Sequence, residues 1–110
     1  MQKDQRRAVR TTLKDQKSDA GIYAFRSPTG AVWVGQSKTL ASAENRLRFS
    51  LRTNGMAPAD LTANWAAAQG EGFTFDVLER LDPELVPMAR DDLLKARVLV
   101  WRADLKANAI

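Results

Sequence analysis

The chain has 110 residues, 45% of them apolar and 27% charged, with a net charge of +4 at neutral pH. That size and composition suit one soluble globular domain with a real core and argue against wholesale disorder. Cysteine and histidine are both absent, which removes disulfides, zinc ribbons, iron–sulfur clusters, thiol nucleophiles, the commonest general base and the commonest transition-metal ligand.

Residues 1–19 are read as a basic N-terminal helix or arm, and residues 20–110 as a single domain. The first seventeen positions carry six Lys or Arg and two Asp. Val9 and Leu13 stand one helical turn apart and would be the anchoring stripe of a short helix. MQKDQRRAVR lacks a signal peptide's apolar segment, and no run approaches the ~20 apolar residues that span a bilayer, so a cytoplasmic, membrane-free protein is expected. Ala20–Arg26 (AGIYAFR) is rich in aromatic and branched residues and is predicted as the first strand. Ser27-Pro28-Thr29-Gly30 carries proline at the second turn position and glycine at the fourth, the pattern of a type I turn closing a three-residue loop with Gly30 left-handed. The second strand is then Ala31–Gln36. That loop length pairs Phe25 with Trp33 and places Tyr23, Phe25, Trp33 and Gly35 on one face, whereas a two-residue loop would separate Tyr23 from Trp33.

From Leu40 to about Asn54 the period turns helical, with Leu40, Ala43, Leu47 and Leu51 as its apolar stripe and Asn54-Gly55 as the stop. A second helix is predicted from Pro58 to Gln69, with Leu61, Trp65 and Ala68 inward and Gly70 ending it. Phe73–Leu81 (FTFDVLERL) alternates as a third strand. The last helix should start near Pro87. It carries two apolar stripes, Ala89/Leu93/Ala96/Val100 and Leu94/Val98/Trp101/Leu105, read together as one wide face laid across a sheet. The expected architecture is α/β of the α+β kind, with a small three-stranded antiparallel sheet flanked by helices.

The charge is divided along the chain. Residues 20–55 hold five basic side chains against Glu44, while residues 56–110 hold six basic against nine acidic. A cationic front half suggests a polyanion such as nucleic acid, although a basic balance also serves solubility.

Gly21-Ile22-Tyr23, nine intervening residues, then Trp33-Val34-Gly35-Gln36-Ser37 resembles the GIY-YIG nuclease family, and the likeness continues through Leu40, the Asn45-Arg46-Leu47 helix and the FTFDVLERL strand. The resemblance implies Mg²⁺-dependent cleavage of nucleic acid, in the first place DNA. In such a site a tyrosine and a metal-bound water supply the nucleophile. An arginine neutralises the phosphate, and a last-helix glutamate holds the metal. Tyr23 matches the GIY tyrosine, Arg46 the arginine, and Trp33 the YIG tyrosine without its hydroxyl; these three are the catalytic candidates. Gln36, Ser37, Lys38, Arg48 and Arg52 are the nucleic-acid-binding candidates around them. The metal ligand has no assigned residue. Ala96, Arg97 and Val98 occupy the stretch where the glutamate should project, and Glu44, Glu79 and Asp92 are the carboxylates left to consider. Three functions therefore stand side by side: a divergent endonuclease, a nucleic-acid-binding domain that does not cut, and a protein-interaction module.

Overall fold

The computed structural model describes residues 19–53, 55 and 57–110. The expected basic helix or arm lies outside them apart from Asp19, as does Asn54 of the expected helix stop.

Strand β1 (Gly21–Arg26) and strand β2 (Val32–Ser37) form the hairpin whose turn chemistry is written in the sequence. The Ser27 N–H donates to the Ala31 carbonyl at 2.9 Å, the Gly30 N–H donates to Ser27 at 3.1 Å, and Gly30 has φ 97°. A side chain at that φ is strained, so glycine sets the loop length. The loop in turn sets the register: Phe25 opposes Trp33 and Tyr23 opposes Gly35.

Helix α1 (Leu40–Arg52) buries Leu40, Ala43, Leu47 and Leu51, the stripe its period predicts. Its first turn is capped from outside the helix. The Asp19 carbonyl accepts the Leu40 N–H at 2.8 Å, and its carboxylate accepts the Ala41 N–H at 2.7 Å. This satisfies donors that every helix start leaves open. Helix α2 (Ala59–Ala67) follows, with Leu61 fully buried. Strand β3 (Thr74–Arg80) pairs antiparallel with β1, with a bulge opposite the Ile22–Tyr23 step. Helix α3 (Pro87–Leu105) begins on its proline, and a two-residue strand β4 (Asn108–Ala109) then pairs with β2 in parallel.

The sheet order is β3-β1-β2-β4. The α+β class stands, but the three-stranded antiparallel sheet is corrected to a four-stranded mixed one. Two residues are too few to show any period, so β4 left no sequence signal.

The central strand β1 has a core on each face. Tyr23, Phe25 and Trp33 pack with the α1 stripe, Leu61 and Phe73 on one side, and Ile22, Ala24 and Val34 pack with Leu94 and Val98 on the other. A second correction concerns α3. Only its Leu94/Val98/Trp101/Leu105 stripe meets the sheet, while Leu93 and Val100 of the other stripe are 36% and 49% exposed. Nineteen helical residues run roughly 28 Å against roughly 20 Å for a six-residue strand, and a straight rod on a narrow sheet touches along one stripe.

Candidate functional site

Tyr23 stands mid-strand on β1, 6% exposed, its ring stacked on Phe75 at 4.9 Å between centroids. Across the hairpin it lies over Gly35, where a Cβ would stand 2.7 Å from the phenol oxygen. Glycine at 35 is therefore what gives the ring its seat.

Arg46 comes to the same place from α1. Its Nη1 donates to Thr39 Oγ1 at 2.8 Å and to Ser42 Oγ at 2.5 Å, and its Nη2 donates to Ser37 Oγ at 3.0 Å. Three hydroxyls hold the guanidinium, and no carboxylate pairs with it among the described residues. Its exposed positive charge is left uncompensated. Tyr23, Gln36, Ser37, Ala43, Arg46, Leu47 and Ser50 line an open groove of about 270 Å³. Hydroxyls, one amide and one guanidinium make it a receptor for an anion.

The other expected site residues divide. Gln36 and Ser37 line the groove with Tyr23 and Arg46. Lys38 lies beyond the end of β2, 3.8 Å from Asp91. Arg48 points elsewhere: it pairs with Glu44 at 2.9 Å, donates to the Phe73 carbonyl at 3.1 Å and lies over the Phe25 ring. Arg52 is exposed on α1 and does not line the groove, as its six-residue offset from Arg46 on a helix requires. Trp33 is 1% exposed in the core and its indole N–H donates to Asp60 at 3.1 Å, so the structure places it under the site rather than in it.

Thr39, Ser42 and Arg102 were not expected. Ser42, one turn before Arg46, was open to reading from helical spacing. Arg102 was not, because α3 brings it from far along the chain to donate to the Val34 carbonyl at 3.0 Å.

Burial raises the Tyr23 pKa above its ordinary 10.0, and the charges of Arg46 and Arg102 pull it part of the way back. The phenol is therefore neutral at physiological pH and serves as a hydrogen-bonding group. Tyr23 is the chain's one tyrosine, so phenolate absorbance titrates it alone. The midpoint is expected above 10.0 in the folded protein, and higher still in Arg46→Ala. Folding favours the neutral phenol, so this contribution to stability is complete below about pH 10 and is lost as pH rises through the native pKa. Tyr23→Phe should flatten that alkaline loss. A native midpoint at or below 10 would contradict the buried placement.

A divalent metal does not fit these residues. Mg²⁺ is usually held through carboxylates, and none of the described residues that line the groove carries one. Among the described residues no cluster of three acidic side chains could hold a metal. On α3, Val98 is buried, Ala96 faces solvent, and Arg97 pairs with Glu79 at 2.8 Å. Glu79 is also claimed by the Trp101 indole N–H, which with Arg97 keeps its carboxyl below the usual range.

In comparisons with known proteins, no protein-family model and no curated protein matches the chain. Among solved structures, the catalytic domain of the homing endonuclease I-TevI is similar, with a TM-score of 0.68, 23% identity, and coverage of 83% of this chain and 97% of that one.

Proposed function

We propose that this chain, whose fold is GIY-YIG-like, binds the phosphate backbone of nucleic acid, DNA in the first instance, and does not cut it. The observation that carries this is Arg46, a guanidinium held by three hydroxyls with no acid paired to it among the described residues. Of its five N–H donors three are taken and two remain, and their fork matches a phosphate. The Tyr23 phenol, the Gln36 amide and the Ser50 hydroxyl line the same groove and can donate to the remaining phosphate oxygens. A net charge of +4 supplies the long-range attraction.

Cleavage would need an activated nucleophile and stabilisation of the leaving oxygen. Among the described residues the groove offers a neutral phenol and no carboxylate, so they supply the electrostatics of binding without the means to move a proton. Supercoiled plasmid with Mg²⁺ or Mn²⁺ is expected to stay intact. Nicking that disappears with EDTA and in Tyr23→Phe would return the endonuclease reading.

Binding itself is tested by fluorescence anisotropy of a labelled DNA duplex across a salt series. Affinity should fall steeply, by a log–log slope of about 0.9 per neutralised phosphate. A flat response would remove the nucleic-acid reading and leave a protein-interaction module.

A further inference from the structure

β1 pairs with one side of β2 along its whole length, but on the other side β4 pairs only with Trp33 and Val34, so no described strand covers that outer edge at Gln36 and Ser37. Successive strand residues point to opposite faces. Ser37 turns toward Arg46 on the α1 side, while Gln36 reaches toward α3. There a second cleft of about 240 Å³ opens between the end of β2 and the first turns of α3, lined by Gln36, Lys38, Asp91, Leu94 and Lys95. Gln36 lines both cavities, so the two adjoin across the strand edge.

The second cleft is also cationic. The Asp91 carboxylate is engaged by Arg90 at 3.1 Å and by Lys38 at 3.8 Å. Lys95 is exposed on α3 with no acidic partner among the described residues. One carboxylate against Lys38 and Lys95 leaves one positive charge in the lining. Charge of that sign on both sides of a strand edge, joined by an uncharged amide, suits an anion that repeats along a chain.

We infer that the Gln36–Lys38–Lys95 cleft is a second phosphate subsite, and that one polynucleotide strand crosses the β2 edge with a phosphate in each cleft. The inference rests on the groove at Arg46 taking the first phosphate. It assigns Lys95 to the ligand and selects a polymer over a free nucleotide, which could fill only one cleft. The Gln36 amide is placed to bond the strand where it crosses.

The test compares salt-dependent anisotropy of a labelled DNA duplex across the wild type and four variants. The double variant Lys38→Ala/Lys95→Ala should lower the log–log slope by about 1 to 2 and weaken affinity roughly tenfold at moderate salt. Lys95→Arg, with Lys38 intact, should keep the wild-type slope. Lys106→Asn removes one charge roughly 16 Å further along α3 and should leave the slope near that of the wild type. A double variant with the wild-type slope, alongside an Arg46→Ala protein that has lost affinity, overturns the second subsite and keeps the groove. A wild-type protein that does not bind the duplex overturns both.

Discussion

Arg46→Ala is expected to weaken binding to a DNA duplex about 10- to 100-fold with no loss of folded protein. A hydrogen bond to a charged group contributes roughly 1.5–3 kcal/mol, and each 1.4 kcal/mol is about tenfold in affinity. The fold should survive because the side chain is exposed and its partners are hydroxyls that can find other donors. Ser37, the buried one among them, still accepts the Thr39 N–H at 3.0 Å. Arg46→Lys keeps the charge and loses the fork, so it should fall between the two proteins. Anisotropy titrations at fixed salt, paired with thermal melts, separate binding from folding. An alanine variant with wild-type affinity would remove the groove as the site.

Trp33→Ala is expected to cost about 3–5 kcal/mol of stability, a large part of the 5–15 kcal/mol that a typical domain has. The indole is among the largest fully buried side chains and packs in the same core as Tyr23, Phe25 and Leu61, so removing it opens a cavity in the layer that carries the groove. Trp33→Phe keeps a six-membered ring but loses the rest of the indole and its N–H bond to exposed Asp60, and should cost less, about 1–3 kcal/mol. Urea denaturation reads both, with the m-value expected to hold while the midpoint moves. If Trp33→Ala instead folds like the wild type and loses nucleic-acid affinity, then this residue acts on the ligand, as the GIY-YIG resemblance first implied.

Much of the site's placement was legible in short stretches. Pro28 and Gly30 define a loop length, the loop defines a register, and the register sets Tyr23 opposite Gly35. The α1 stripe follows from helical spacing alone, and with it the side from which Arg46 approaches. The hydroxyl cage around Arg46 was only partly legible. Ser42 is one turn away on the same helix, but Ser37 and Thr39 reach the guanidinium because the chain turns between β2 and α1.

Glu79 shows why the rest was hidden. The alternation of Phe73, Phe75 and Val77, continued by two, would place its carboxylate on the face of Tyr23. The bulge opposite Ile22–Tyr23 instead sends Leu78 and Glu79 toward α3, where Arg97 and Trp101 take the carboxylate. One extra residue in one strand reverses a face. No period within that strand announces it.

By itself the sequence determined the strands and helices with strong periods, the hairpin register, the absence of histidine and cysteine chemistry, and the lack of a glutamate where a metal ligand was expected. Each of these is a property of neighbours in the chain, set by dihedral preference and by which side chains fall on one face. The tertiary structure decided which stripe of α3 met the sheet, that β4 joined its edge, that Trp33 went into the core, and that Arg46 met three hydroxyls and no acid among the described residues. Those outcomes depend on which distant groups share a small volume, and competition for burial and for hydrogen-bond partners there is settled only when the whole chain packs.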